Sequence, residues 1–571
     1  MSNPNNQGNT STLKQPIKLK FDNIHSVKLG NEVIYQVAGS KLFTSYKSPK
    51  IAQEITSDLT LHYLKLTQSI NDHTRIILGF KNLTPEQRDK YLNMADDKTP
   101  IIIKYIDPNE KPIDNEGPKS KTFFQGVVTK IASRLEKSLY YLEISGVSLT
   151  IELDQQKKTR SFSRPTLKYA DLLKQIENEY PQAVISDFTI GEQQLGTFIL
   201  QYQETDWQFL KRIAAKFGTG LTVNYTSEKP NLSIGVPESN GITQINLSKP
   251  KKSNVLKCIA KNTYNYDYTY EDDTKLQYQL IIENYLNIGD PVSLKKDEKK
   301  DQQQDQTNPL LYVVRSVGTI IDGSDLNWEH TLTPELGLTK MWYPNQKIAG
   351  VSLEGVVKDR IKDKALVELK IDIDHGGAAK DQYNPIRPYN ENTYLEEFWY
   401  FSCATPYTAE GNTGWYCMPE IGDTVMVHFP TEYPTEAYIA QSIRKQSGDT
   451  PNLKLDQPNV KIFRTKFGKE IRFDPKELKI TIQKYVPKQN NQPARVESPE
   501  LIVLKLNDTD GVSLITDLPV NISSKNDLTI VSHEGNVNIT AGAELNIACK
   551  DSSIAMKDGN THVKGKRVKT N

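Results

Sequence analysis

The pattern of apolar and polar positions is most regular between residues 511 and 563. There, two apolar residues separated by a single residue return about every eight or nine positions. Period-two alternation of this kind predicts strands with one buried face. The predicted core residues of these six strands are Val512, Leu514, Val520, Ile522, Leu528, Ile530, Val537, Ile539, Leu545, Ile547, Ile554 and Met556.

These short strands need a core that one copy of the repeat does not supply. Turn-forming residues separate them at 523–527, 532–536 and 558–560. Two core side chains per strand bury too little surface to offset the entropy of ordering the chain. Two interpretations stay open, a small single-chain β-solenoid and an intertwined β-helix in which three chains each supply one strand per layer. We favour the second, because solenoid coils usually need more residues per turn.

Upstream of the repeat, residues 17–151 alternate in the manner of strands, which are predicted at 17–21, 32–37, 76–78, 101–105, 126–128 and 139–144. Three helices are expected in the first half of the chain. Residues 84–87 form a capping-box sequence with proline at the first helical position, which predicts a helix to about residue 94. A second helix is expected after Pro165. A third begins at the capping box of residues 205–208 and is followed by a β-hairpin.

Composition narrows the class of protein. The 571 residues suffice for three or four domains, and 71 Lys plus Arg balance 70 Asp plus Glu. The balance predicts no strong attraction to nucleic acid or to an anionic membrane. No apolar run approaches the roughly 20 residues of a spanning helix, and residues 1–15 lack a signal peptide. We therefore expect a protein that folds in the cytoplasm.

The chain offers little for catalysis or for metal binding. Four cysteines, at 258, 403, 417 and 549, show no ligand spacing and are expected to be reduced thiols. Eight histidines form neither HExxH nor HxH. The roughly 70 residues between 443 and 511 are fewer than the roughly 100 that an inserted catalytic domain needs. We expect no catalytic residue, metal or cofactor, and a cell-wall hydrolase remains the enzymatic alternative.

Six segments resemble one family. Residues 204–214, with the sequence ETDWQFLKRIA, are followed by glycine and a hairpin and resemble the hub domain of contractile-tail spikes. Residues 285–292, 311–317 and 328–333 continue that similarity. Residues 419–429 resemble the OB-fold of VgrG proteins, and residues 465–474 are similar to the entry into their needle. The family comprises the VgrG central spikes of type VI secretion and the late control proteins of contractile phages.

The resemblance implies a mainly β fold with tandem hub β-barrels, a few helices, an OB-fold and an intertwined trimeric β-helix needle. The expected order is a disordered leader over 1–16 and a hub over 17–345, divided roughly into 17–160 and 161–345 with exchange of strands. An OB-fold over 346–445, a neck and loop over 446–510 and a β-helical needle over 511–571 follow. The Pro-, Asn- and Gln-rich residues 484–499 are expected to loop outward.

The resemblance also implies a function. We expect a structural homotrimeric spike of a contractile injection system that joins a hexameric, Hcp-like tube protein to a membrane-piercing needle with a PAAR-like tip protein. Further expected partners are baseplate proteins, effectors and, transiently, the target membrane, but not nucleic acid. The spike would assemble in the cytoplasm and be expelled with the particle. The expected host is a type VI secretion system or an extracellular injection particle, and a phage or bacteriocin tail spike is the alternative that differs only in the host particle.

Overall fold

The computed structural model describes sixteen stretches of the chain, and all structural statements concern them. They are residues 24–30, 32–36, 59–96, 99–106, 120–236, 241–246, 255–260, 276–282, 285–295, 310–321, 326–334, 344–371, 398–409, 413–443, 457–487 and 495–569. The predicted leader and the predicted strand at 17–21 lie outside them. The chain divides into two compact units, Met1–Lys445 and Gln446–Asn571.

The largest element of the first unit is a 13-stranded sheet. Its first seven strands are β1 (Ile24–Leu29), β2 (Glu32–Gln36), β3 (Thr60–Ser69), β4 (Arg75–Leu83), β5 (Pro100–Ile106), β6 (Ser120–Glu136) and β7 (Leu139–Ser148). Buried and half-exposed residues alternate along β4, from Ile76 to Phe80, as one-sided burial of a strand requires. The sequence patterns predict strands at the positions of β2, β4, β5, β6 and β7, but they do not predict β1 or β3.

A smaller subdomain follows this first half of the sheet. It contains β8 (Lys157–Phe162), β9 (Val184–Asp187), β10 (Ile199–Thr205), β11 (Leu221–Val223) and β12 (Asn231–Ile234). Strand β8 pairs with β10, and β12 lies between β9 and β11. The predicted hairpin is confirmed, since Leu221 lies opposite Ile234 in an antiparallel ladder.

The sheet then continues with later strands. These are β13 (Thr243–Asn246), β14 (Val255–Ala260), β15 (Leu276–Ile282), β16 (Pro291–Lys295), β17 (Leu310–Ile321) and β18 (Asn327–Pro334). Strand β17 pairs with β3, so that Val317 lies opposite Thr67. The two halves of the predicted hub therefore share one sheet.

The three predicted helices are present. They are α1 (Pro85–Leu92), α2 (Tyr169–Asn178) and α3 (Asp206–Lys216), and short 3-10 helices lie at Leu149–Asp154, Gln346–Ile348 and Pro434–Glu436. The capping box of α3 is formed, because the Gln208 backbone N–H donates to Thr205 Oγ1 at 3.1 Å and the Thr205 N–H donates to Gln208 Oε1 at 3.3 Å. No helix of the described residues is long and apolar enough to cross a membrane.

A closed five-stranded barrel follows the hub. Its strands are β19 (Val351–Ile361), β20 (Lys364–Leu369), β21 (Phe401–Cys403), β24 (Thr424–Phe429) and β25 (Tyr438–Ile443). A separate hairpin of β22 (Tyr407–Ala409) and β23 (Thr413–Trp415) lies between β21 and β24 in the sequence. The barrel order is β19-β20-β21-β25-β24, with β21 and β25 parallel. This is the arrangement of an OB-fold, as the resemblance implied.

The barrel and the hub share a core. Phe198, which precedes β10, packs edge to face on Phe401 with ring centroids 5.1 Å apart and stacks on Phe429 at 6.5 Å. Aromatic pairs in these geometries stabilise a contact beyond the area that they bury. The backbone N–H of Trp399 also donates to the backbone carbonyl of Ser163 at 2.7 Å. Hub and barrel are thus joined by packing as well as by the chain.

The second unit contains two antiparallel sheets. The first consists of β26 (Lys461–Arg464), β27 (Lys469–Phe473), β28 (Glu477–Val486), β29 (Arg495–Asn507) and β30 (Gly511–Thr516), in chain order. The second consists of β31 (Glu544–Cys549), β32 (Ser552–Lys557) and β33 (Asn560–Lys564). Each of these strands pairs with its neighbour in the same chain. This differs from the predicted intertwined β-helix, in which each layer would contain one strand from each of three chains.

The predicted outward loop at 484–499 is wrong at both of its ends. Lys484 lies opposite Glu497 and Val486 lies opposite Arg495, so the hairpin of β28 and β29 extends into this stretch. Pro499 does not prevent pairing because the register shifts beside it, between Ile482 and Lys484. Proline is tolerated at such bulges, where no ladder hydrogen bond is lost. Residues 488–494 lie outside the described part of the chain.

Candidate assembly interface

The five-stranded sheet of the second unit has one apolar face. Directly opposite residues lie on the same face of a sheet, and the ladders align apolar residues across four strands. One row, for example, runs from Ile480 through Leu504 to Leu514. The members of this face on β27 to β30 are Ile471, Phe473, Leu478, Ile480, Ile482, Ile502, Leu504, Leu506, Val512 and Leu514.

This apolar face is open to solvent in the single chain. Val512 is 72% exposed and Leu514 is 52% exposed. The opposite face carries charged residues, with Arg472 opposite Lys479 and Lys479 opposite Lys505. In the described part of the second unit, the one buried apolar residue is Val503, which belongs to that charged face. A sheet with this distribution has no core of its own.

The three-stranded sheet repeats the pattern on a smaller scale. Ile547 lies opposite Ile554, and Ile554 lies opposite Val563 on the third strand. Leu545 lies opposite Met556 in the neighbouring row of the same face. The turns that join these strands have left-handed residues, with φ of 51° at Lys550 and 76° at Gly559. The tight turns allow consecutive strands of one chain to pair.

Residues 517–543 form no strand in the described chain. The predicted pairs at 520 and 522, 528 and 530, and 537 and 539 lie here, and all six residues are exposed. A strand requires a neighbour for its backbone N–H and C=O groups. The described chain supplies no such neighbour for these pairs.

The structure thus places the twelve predicted core residues in three settings. Val512 and Leu514 lie on the five-stranded sheet, six residues lie in the segment without strands, and Leu545, Ile547, Ile554 and Met556 lie on the three-stranded sheet. None of the twelve is buried, and Leu545 alone is half-buried. Sequence reasoning missed the apolar face on β27 to β29, although its period-two signal is present in the sequence.

In the hub, the acidic residue of the ETDW segment belongs to a buried ionic cluster. Asp206 is fully buried and accepts hydrogen bonds from Lys158 at 2.5 Å and from Tyr180 at 2.6 Å, and it pairs with Arg160. Glu179 pairs with both cations, so that two positive charges face two negative ones. Burial first, and then the hydrogen bond to Asp206, raise the pKa of Tyr180. Removing one partner from such a cluster would leave a buried charge uncompensated, so these four side chains depend on one another.

A second polar arrangement in the hub looks superficially catalytic. His73 Nδ1 lies 2.8 Å from Thr150 Oγ1, and His73 Nε2 lies 3.5 Å from Asp154 Oδ2. The imidazole also lies against the Trp207 ring, with centroids 4.0 Å apart. Both His73 and Thr150 are buried, so a substrate does not reach the hydroxyl. We interpret this arrangement as a structural hydrogen-bond network.

The carboxyl group of Asp154 is stabilised in its charged form. Burial opposes ionisation, but hydrogen bonds from His73 and Thr205 outweigh it, and the pKa of Asp154 is lowered from its ordinary value of 3.8. Thr205 is also the cap of α3. Asp154 therefore connects the first turn of α3 to the loop that carries His73.

The acidic residues of the OB-fold motif turn a strand. The Glu420 N–H donates to Asp423 Oδ2 at 2.8 Å, and the Glu420 carboxylate lies 3.0 Å from Arg360. Gly422, between them, has φ of 96° and fits this turn without strain. Within the described stretches, no group of three or more His, Cys, Asp and Glu residues could hold a metal ion.

The chain is similar in structure to VgrG spikes and to phage tail proteins. An E. coli protein, a component of the type VI secretion system with similarity to T4 tail proteins gp27 and gp5, shares 11% identity at a TM-score of 0.43, over 74% of this chain and 100% of that one. A chain of the half-lidded Francisella PdpA-VgrG complex shares 11% sequence identity with this chain at a TM-score of 0.45. The match covers 80% of this chain and 83% of that one. The 43 kDa tail protein of prophage MuSo2 from Shewanella oneidensis shares 12% sequence identity at a TM-score of 0.35. The match covers 56% of this chain and 98% of that one.

No protein-family model matches the chain, and no curated protein matches its sequence.

Proposed function

We propose that this protein is the structural central spike of a contractile injection system and that it acts as a homotrimer. The observation that carries the proposal is the exposed apolar faces of the second unit, whose described residues bury a single apolar side chain. Soluble proteins rarely leave large contiguous apolar patches uncovered. Three copies of the chain would cover one another's faces.

Because the strands pair within the chain, the proposed needle is not an intertwined β-helix of single strands. Each chain supplies whole sheets, and the apolar faces of three chains meet along a common axis. Covering each Leu, Ile or Phe that is exposed in the single chain contributes roughly 1–2 kcal/mol. The charged face of β26–β30 stays in solvent. Residues 517–543 acquire their strand partners from the other two chains.

In the proposed particle, the hub binds a hexameric, Hcp-like tube, and the second unit forms the needle that receives a PAAR-like tip protein. Baseplate proteins and effectors are further partners. The trimer assembles in the cytoplasm and leaves with the particle. The alternative host particle, a phage or bacteriocin tail, uses the same interfaces.

The proposed role is structural and not enzymatic, because the buried His73 network and the ion-paired Glu420 both serve the fold. The test is to purify the tagged protein from its native cells with its partners and to assay peptidoglycan hydrolysis. We expect a tube protein to co-purify and particles to be absent after deletion of the gene. Turnover that disappears in Glu420→Gln, while the melting curve is unchanged, would contradict the structural role.

A further inference from the structure

A two-stranded hairpin of the OB-fold carries exposed aromatic residues. Strands β22 and β23 pair with each other and with no other strand of the described chain. Tyr407 lies directly opposite Trp415 in their ladder, so both side chains lie on one face of the hairpin. Tyr407 is 61% exposed and Trp415 is 55% exposed. We call these two residues the aromatic pair, which presents two neighbouring rings to solvent.

The hairpin is attached to the barrel beside the turn between β19 and β20. Tyr416, the residue after β23, donates a hydrogen bond from its hydroxyl to the backbone carbonyl of Lys362 at 3.3 Å. Lys362 belongs to this turn and has a left-handed backbone, with φ of 53°. The loop between the first two strands borders the surface on which OB-folds bind oligonucleotides or oligosaccharides. The aromatic pair therefore lies near the place where this fold takes up ligands.

The surroundings of the aromatic pair favour an uncharged ligand. No charged residue occurs in the described hairpin and its flanks, residues 402–409 and 413–419. The adjacent β19–β20 turn carries both signs, because Asp363 stands between Lys362 and Lys364. Arg360, just before the turn, pairs with Glu420 at 3.0 Å. A nucleic acid requires a basic groove along its backbone, and this hairpin does not provide one.

The size of the exposed surface favours a small ligand over a protein partner. Tyr416 is 68% exposed and adds its ring to those of the aromatic pair. Because a fully covered aromatic side chain buries about 150–250 Å², these three residues offer on the order of 350 Å². A stable protein interface takes about 800 Å² from each partner. The hairpin is thus too small to form such an interface by itself.

We propose that the aromatic pair binds a neutral, β-1,4-linked pyranose oligosaccharide. Such a chain is a flat ribbon whose sugar rings carry C–H groups on their faces and hydroxyls at their edges. Directly opposite residues have Cβ atoms about 5 Å apart, which is comparable with the length of one sugar unit. Each aromatic ring stacks on one sugar face, and the Tyr407 hydroxyl bonds to the hydroxyls at the sugar edge. The site is complete in one chain and does not depend on the proposed trimer.

The test is calorimetric titration of the full-length protein with chitotetraose and with cellotetraose, two neutral ribbons. A hyaluronan tetrasaccharide serves as the anionic comparison. The variants are Tyr407→Leu and Trp415→Leu, which remove one ring from each strand, and Trp415→Phe, which keeps a ring. The matched control is Phe188→Leu, because Phe188 is an aromatic residue of the hub that is 52% exposed. Melting curves of all variants show whether they are folded.

We expect wild type, Trp415→Phe and Phe188→Leu to bind at least one neutral tetrasaccharide at millimolar concentration, equally at low and high salt. Each leucine change in the aromatic pair should weaken binding about tenfold, because leucine is apolar but offers no flat ring. Failure of wild type to bind either neutral sugar, preference for hyaluronan, or an equal loss in Phe188→Leu would overturn the proposal.

A protein contact at the same place gives a different result. In that case Trp415→Leu would change the oligomeric state in light scattering and leave the binding of both neutral sugars intact. This outcome would also overturn the proposal. Loss of sugar binding in a Trp415→Leu protein with the oligomeric state and melting curve of wild type would support it, whether or not the protein is a trimer.

Discussion

Ile547 lies directly opposite Ile554 in the ladder of β31 and β32, and both side chains are exposed, by 53% and 37%. A cross-strand apolar pair stabilises a sheet mainly when its face is covered. In this chain the paired residues form an ordered apolar face with nothing of the described chain packed over it. The proposed function follows from this observation, because apolar residues that are regularly paired across strands are nevertheless left exposed.

The first prediction tests which face of the five-stranded sheet is covered. Leu514 and Ser513 are adjacent on β30 and point to opposite faces. Leu514→Asp places a carboxylate in the proposed apolar interface, where an unpaired charge costs several kcal/mol. We expect this variant to lose the trimer in light scattering, and Ser513→Asp to retain it. A trimeric Leu514→Asp protein would mean that this face is not the interface.

The second prediction concerns the ionic cluster of the hub. Asp206→Asn leaves Lys158 and Arg160 facing Glu179 alone, and breaking a buried pair costs about 3–5 kcal/mol. We expect the melting temperature of the hub to fall by roughly 6 °C or more.

The control for this prediction is Glu192→Gln. Glu192 is 90% exposed and pairs with Lys168 on the surface, so its loss should change stability by less than about 0.5 kcal/mol. Equal melting curves for Asp206→Asn and wild type would contradict a structural role for the cluster.

The third prediction is a pH dependence. Because the pKa of Asp154 is lowered in the folded protein, its stabilising contribution is fully present above the ordinary value of 3.8 and is lost as the pH falls through the folded pKa. Asp154→Asn lacks this contribution at every pH. Denaturant unfolding should therefore show a deficit for the variant at pH 7 that shrinks below about pH 4. A deficit that is constant down to pH 2 would contradict this origin.

The parts of the fold that depend on local signals could be predicted from the sequence. The capping boxes at Thr84 and Thr205 specify where α1 and α3 begin, because cap and partner are three residues apart. Strand β24, after Gly422, was predictable for the same reason. Its turn residues lie directly before the alternating buried and half-buried residues of the strand.

Features that depend on distant pairing were not predictable. Lys158 and Arg160 alternate with polar residues on β8 and resemble a solvated edge, yet their partner Asp206 lies more than forty residues away. Composition predicts a loop around Pro499, because it does not reveal that the proline occupies a bulge in a hairpin. The needle residues were identified by period, but their pairing within the chain depends on turns such as that at Lys550.

The central claim is that the apolar faces of the second unit are covered by two further copies of the chain. Light scattering of the purified full-length protein, coupled to size-exclusion chromatography, tests it most directly. We predict a single species with three times the 64.8 kDa mass of one chain, which persists on dilution to nanomolar concentration. A monomeric species that remains soluble with the same faces exposed would contradict the account.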